Sequence, residues 1–353
     1  FRDGNIPKRL IPATMALGAF TFTMSALPGS PAIQNAIPMP FFGTTAFAAP
    51  GLGITAAVIM LLFGMWWLNR QLAAARRASE GYGAHDDAVP DSSIGMTEGA
   101  NREGYDIRDL DVAEEKTAGL PSFALAVAPV VAVVLINFLF VQFVVPVMDT
   151  SYLSQPKFGA TDIDAVRGVW AIIVALLSAI VLLVALNWPR FESFQSSLDQ
   201  GANASVIPIA NTASLVGFGA VIAALPAFQT ISDALLSLGE ANPLLSLAIA
   251  VNILSAVTGS ASGGMSIALE ALGPTYVQLA EAQNISLEAM HRVTSISSGA
   301  LDTLPHNGAV ITVLSICGLT HKEAYRDMFM VAIGGPMIAL ACIIALATVF
   351  GSF

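Results

Sequence analysis

The chain has 353 residues, of which 55% are apolar and 11% are charged, with a formal net charge of −10 and a mean hydropathy of +0.71. A soluble domain of ordinary composition carries about 25% charged residues; here 17 of the 40 charges fall between positions 70 and 116, leaving 23 for the other 306 residues. That excludes a soluble enzyme, a nucleic-acid binder and a disordered chain, and leaves an all-α polytopic membrane protein.

Half of the net charge belongs to the 70–116 stretch, with 11 acids against 6 bases, so it describes one segment and implies no charged partner. Cys317 and Cys342 lie in apolar runs and read as small buried hydrophobes, with no disulfide framework, metal cluster or cofactor indicated. The chain begins at Phe1 without an initiator Met or a signal-peptide pattern, so an amino-terminal portion is expected to precede it.

Uncharged apolar spans are expected at 52–68, 120–145, 168–188, 204–226 and 328–350, each near the roughly 20 residues that cross about 30 Å of hydrocarbon. Regions 10–47, 244–272 and 289–318 are apolar but broken by Gly, Pro or small polar residues. Three parts are therefore expected. Residues 1–69 end a first repeat with its broken helix, 70–118 form a polar cytoplasmic linker, and 119–353 hold the second half. With Arg2, Lys8 and Arg9 inside, a hairpin at 244–272 that dips in and returns places 12 Lys and Arg inside against 3 outside. A full crossing gives 11 against 4, so charge favours the re-entrant hairpin by one residue. Thr320-His-Lys-Glu323 has capping-box spacing and is expected to start the last helix.

One internal similarity carries the functional reading. Ser25-Ala-Leu-Pro-Gly-Ser-Pro-Ala-Ile33 aligns without gaps on Asp302-Thr-Leu-Pro-His-Asn-Gly-Ala-Val310, with Leu, Pro and Ala matching identically. A proline inside a span frees a carbonyl and unwinds the preceding residue, and lipid tolerates that only where protein or a water-filled cavity satisfies the backbone. In the re-entrant topology the two copies run in opposite directions, the pattern of an inverted-repeat secondary transporter. The hairpin tip, Val257-Thr-Gly-Ser-Ala-Ser-Gly-Gly264, combines sharp turning with short hydroxyl donors. It lacks the Gly-x-Ser-x-Gly elbow, because position 260 is Ser. No zinc spacing or nucleophile motif supports an intramembrane enzyme, and a passive channel fits a Leu-Pro break less well than a carrier does.

Asp302 sits within a break at membrane depth, where charge is costly and usually functional, so it and His306 are the proton-coupling candidates. A carboxylate that only caps the following half-helix is the competing reading. Ser25, Ser30, Thr258, Ser260, Ser262, Thr303 and Asn307 are candidate substrate ligands, a role that coexists with satisfying the broken backbone. Pro28, Gly29, Gly259, Gly263, Pro305 and Gly308 are the residues expected to break the helices. His291 and Arg292 are expected to anchor near the outer surface, and Glu270 to lie at the interface. His85 falls in the linker and His321 in a loop. Asn211, Thr212 and Asn252 read equally as interhelical hydrogen bonds or ligands. Trp66, Trp67, Trp170 and Trp188 read as interfacial anchors.

The run Ser298-Gly-Ala-Leu-Asp-Thr-Leu-Pro-His-Asn-Gly-Ala-Val-Ile311, followed by Cys317-Gly-Leu-Thr-His-Lys-Glu323, resembles the gluconate permease family, most of all its 3-hydroxybutyrate permeases. Phe20-Thr-Phe-Thr-Met-Ser-Ala-Leu-Pro-Gly-Ser-Pro31 resembles the matching first-repeat segment. The resemblance implies proton-coupled uptake of a small hydroxy-monocarboxylate by alternating access, in a homodimer of the inner membrane. The expected partners are an organic carboxylate, a proton and the lipid bilayer, with sodium coupling as the alternative.

Overall fold

A computed structural model describes residues 1–83, 121–191, 193–226, 230, 233 and 242–353. The side chains of Asn211 and Thr212, His85 and most of the expected linker lie outside the described residues. Among the described residues every regular element is helical. The elements are α1 (Leu10–Ala19), α2 (Phe22–Ser25), α3 (Ile33–Ala36), α4 (Pro38–Phe42), α5 (Pro50–Arg77), α6 (Phe123–Leu139) and α7 (Ile163–Asn187). They continue with α8 (Phe194–Ala223), α9 (Pro243–Thr258), α10 (Ala261–Ala282), α11 (Leu287–Ser298), α12 (Gly308–Ile316), α13 (His321–Phe329) and α14 (Gly335–Phe350). The protein is an all-α polytopic membrane protein. Four helical stretches among the described residues are long and apolar enough to cross a membrane: Pro50–Arg77, Phe123–Val147, Ile163–Arg190 and His321–Phe350.

Several boundaries differ from expectation for local reasons. α5 continues past position 69 to Arg77, because Leu72–Ala75 are good helix formers and Arg76 and Arg77 suit a helix carboxyl end. α8 starts at Phe194, ten residues before the apolar run that predicted it. α13 opens on a capping box, in which the Thr320 amide donates to Glu323 Oε2 at 2.8 Å. It joins α14 through the wide turn Met330–Gly334, which accommodates Pro336 and its missing N–H.

Of four hydrophobic clusters among the described residues, the two largest organise the helices around the breaks. The larger gathers Leu52 and Met60 of α5, Leu244 and Leu247 of α9, Met265 and Leu269 of α10, Met290 and Ile296 of α11, and Leu340 and Ile343 of α14. The smaller joins Ala13 and Leu17 of α1, Val310 and Leu314 of α12, and Met328 of α13. The chain passes between these cores twice at broken helices. It leaves the smaller core after α1 and reaches the larger through Ala26, Phe42 and Ala49. It leaves the larger core at Ala300 after α11 and enters the smaller at α12. α1, α11 and α12 have 10, 12 and 9 residues, so each is about half a bilayer long.

α9 and α10 pack side by side and turn at Gly259 (φ +62°), so Ser262 and Gly263 lie within α10 rather than in an open tip. Gly264 permits the close approach, because a Cβ there would stand 2.2 Å from the Ser255 nitrogen. Cys317 is buried as expected, whereas Cys342 is exposed on the apolar outer side of α14. Trp66 and Trp188 are exposed, as interfacial anchors require. Trp67 is buried and donates its indole N–H to Asp327 Oδ1 at 3.1 Å, so it is a packing residue instead.

Candidate functional site

The two broken segments meet around a cavity of about 320 Å³. The first contributes Thr23 and Met24 of α2, then Ile33 and Gln34 of α3; the second contributes Asp302, Thr303, Asn307 and Ala309. Asp302, Thr303 and Asn307 are each buried, at 6%, 3% and 2% exposure, yet line this space. The Thr303 hydroxyl has no hydrogen-bond partner among the described residues. Asn307 has a structural task as well. Its Oδ1 accepts from the Val310 amide at 3.1 Å and so caps α12, while its Nδ2 donates to Gly259 O at 2.8 Å.

Other sequence-predicted residues support the breaks from outside the cavity. Ser25 is buried behind it, donating to Thr21 O while its own carbonyl accepts from Ser295 Oγ at 2.8 Å. Ser30 Oγ accepts from the Ala32 amide at 3.3 Å and serves the turn after Pro28. Gly29 (φ +75°) lies against Phe47, where a Cβ would meet the ring at 2.5 Å. Thr258 bonds back to Leu254 O, and Ser260 caps α10 through the Gly263 amide at 3.1 Å. The Ser262 hydroxyl lies 3.4 Å from that of Ser260. His306 is exposed and donates to Ala256 O at 2.9 Å. Pro305, also exposed, presents its carbonyl to His321 Nε2 at 2.9 Å, and Thr303 O accepts from Tyr325 Oη at 3.0 Å. The second break is thus tied to the hairpin turn on one side and to α13 on the other. His321 belongs to that tie, as the first residue of α13, and not to a loop. Glu270 is exposed on α10. Asn252 is buried and turns its Nδ2 onto Ala248 O of its own helix at 2.8 Å.

The arrangement the sequence did not indicate lies on α11, whose residues 289–298 are all buried. Its hydroxyls are absorbed locally except Ser295, which reaches Ser25 O. Thr294 and Ser297 donate to carbonyls one turn back, which makes polar residues tolerable inside a buried helix. Instead of anchoring at the outer surface, His291 and Arg292 are completely buried and face the first break. Their partners lie some 250 residues away, so no local spacing announces them. The only signal was a charge beside a break in an apolar region, the kind of position where charge is seldom idle. Asn35 Nδ2 donates to Ser30 O and Ala46 O, both at 2.9 Å, which turns its Oδ1 toward α11. That oxygen accepts from Arg292 Nη1 and from His291 Nε2, both at 3.2 Å. His291 Nδ1 lies 2.6 Å from Thr44 Oγ1, so both ring nitrogens are engaged by the first break.

Half-length helices, two breaks meeting at a cavity and a carboxylate within it define the class: a secondary transporter embedded in the cell membrane. Residues 35–348 match the model of the Na+/H+ antiporter family. The chain is also similar to the uncharacterized transporter YxjC of Bacillus subtilis (strain 168), at 39% identity over 99% of this chain and 71% of that protein. The chain belongs to the Na+/H+ antiporter family. No solved structure matches it. The resemblance to the gluconate permease family is thereby corrected. The Leu-Pro-His-Asn-Gly turn that carried it encodes a broken helix, a solution open to carriers of different families, whereas the family match extends over nearly the whole chain.

Proposed function

We propose that the protein exchanges a monovalent cation for a proton in the cavity between the two breaks, with the two competing for Asp302. The observation that carries this reading is the lining itself. It offers one buried carboxylate, the open hydroxyl of Thr303 and the amides of Gln34 and Asn307, with no cationic side chain among the described lining residues. Such a set of hard oxygens suits Na+, and a desolvated carboxylate suits a proton, so one site serves both in turn. Residues 244–272 act in this reading as a re-entrant hairpin supporting the second break. In favour of that, α9 has 16 residues and is about 24 Å long, short of the hydrocarbon thickness. The two halves then flank the polar stretch that begins beyond α5.

A second reading, symport of a small hydroxy-carboxylate with the same cation, draws on the amino-terminal end of α12. Asn307 and Ala309 bring that end to the cavity, and helix amino ends favour anions. Reconstitution into proteoliposomes separates the two. Exchange predicts that an imposed Na+ gradient drives proton movement with no organic solute present. Symport predicts that labelled gluconate or 3-hydroxybutyrate accumulates under the gradient. In either case Asp302→Asn should abolish gradient-driven flux, and wild-type flux in that variant would remove Asp302 from the mechanism.

A further inference from the structure

Arg292 presents a physical problem distinct from the cavity. Its guanidinium is fully buried, and among the described residues no carboxylate lies within ion-pair distance. A buried charge is expensive, so its surroundings must replace water. The groups that touch it are neutral oxygens, and the Glu288 carboxylate, one turn back on α11 and bonded to the Ala49 amide, adds opposite charge at longer range. Nη2 and Nε donate to Ala48 O at 2.7 and 3.0 Å, Nη2 and Nη1 reach Ala46 O and Ala26 O at 3.3 Å each, and Nη1 reaches Asn35 Oδ1 at 3.2 Å. Three main-chain carbonyls released by unwinding, with one side-chain amide oxygen, make up the donor set by which broken helices coordinate alkali ions.

We infer that the first break holds a monovalent-cation site built from Ala26, Asn35, Ala46 and Ala48 and permanently filled by the chain's own guanidinium. Arg292 acts there as a tethered cation. Three further observations fit. Asn35 is oriented by its own two donated bonds, so its oxygen is preset toward the cation and does not depend on Arg292 for its direction. His291 Nε2 donates to the same Asn35 oxygen, which fixes that oxygen from a second side. Gly53 of α5 seals the site, since a Cβ there would stand 2.5 Å from Ala26 O and 3.2 Å from Arg292 Nε. A tethered cation cannot exchange. The first break therefore stays charged and folded through the cycle, and the ion that turns over belongs to the other site.

The test removes the tether and offers a free ion. The background is Asp302→Asn, which eliminates the response of the cavity, so failure of the cavity reading and failure of this one remain separable. Melting temperatures in detergent are compared in sodium chloride and in choline chloride at equal ionic strength, and the readout is the Na+-induced shift beyond that of Asp302→Asn alone. Arg292→Ala and Arg292→Gln should each gain a saturable shift of roughly 5 °C in Na+, as expected for a ligand that binds only the folded state. Arg292→Lys, whose ammonium still reaches the carbonyls, should gain none. Equal melting of the neutral variants in both salts overturns the inference. So does a Na+-dependent shift in Arg292→Lys. If the neutral variants fail to fold in either salt while Arg292→Lys folds, the charge is needed but no free ion replaces it, and the inference again falls. Failure of Arg292→Lys to fold overturns it as well.

Discussion

Both breaks begin from a Leu-Pro turn, and both present short polar residues to one cavity, but they are secured in different ways. The first is held by side chains that water does not reach: Arg292 and His291 of α11, bonded to its own Asn35. The second is held by His306 and His321, which are exposed, by Tyr325, which is half-buried, and by the single cap Asn307. Hydrogen bonds in a dry site cannot be exchanged for bonds to water, so breaking one costs the full desolvation of both partners. Bonds at an exposed break exchange with water at small cost. In the proposed cycle the first break is a fixed frame, and the second rearranges around its carboxylate.

Two asparagines test that contrast most directly. Asn35→Ala would leave His291 Nε2 without its acceptor and Arg292 Nη1 with only Ala26 O, and would take a donor from Ser30 O and from Ala46 O. The expected loss is about 3 kcal/mol or more, because each stranded buried group costs roughly 1–3 kcal/mol. Asn307→Ala removes the α12 cap and one bond to the hairpin turn, and should cost about 1–2 kcal/mol. Chemical denaturation in detergent measures both. Equal losses would erase the distinction between frame and moving part.

A smaller effect is expected where the second break meets α13. Tyr325→Phe deletes one bond, 3.0 Å long, to Thr303 O and leaves the ring in place. Because that carbonyl is only partly buried and water can replace the donor, the expected loss is about 1 kcal/mol. A loss matching that of Asn35→Ala would mean that α13 clamps the second break as rigidly as α11 holds the first.

The same contrast separates what the sequence made legible from what it hid. Proline breaks and a carboxylate among apolar residues are local signals, so the half-helices and Asp302 could be read directly, as could the capping box at Thr320. Thr23 and Gln34 of the cavity were not read, because a Thr or Gln near a helix break has no pattern of its own. Arg292, His291 and Trp67 were misplaced for a common reason. Each sits near the end of an apolar run, where a surface role is the economical expectation, and each is drawn inward by partners some 250 residues away. Cys342 erred in the opposite direction: in a membrane protein an apolar run faces lipid as readily as protein, so hydropathy does not imply burial.

The smallest effect belongs to the clasp where α1, α5 and α13 end together. Arg9 donates to Asp327 Oδ2 at 2.6 Å and to Glu80 at 2.7 and 3.0 Å. Asp327 is buried, while the Glu80 side chain is 38% exposed. The hydrogen bond from Arg9 holds the Glu80 carboxyl below its ordinary range, with burial opposing weakly. A depressed acid stabilises the fold above its unfolded pKa, near 4.3, and that contribution disappears as pH falls through the lower folded value. Solvent screening limits it to below about 1 kcal/mol. Glu80→Gln should therefore lower the melting temperature slightly at neutral pH, less in high salt, and progressively less as pH falls below the ordinary carboxylate range. Asn35→Ala should show its full loss across the same pH and salt range, since the amide has no proton to gain and no ion reaches it. A Glu80→Gln effect that rivals it, or that does not shrink on acidification, would place a main fastening of the fold at its exposed edge rather than at the buried first break.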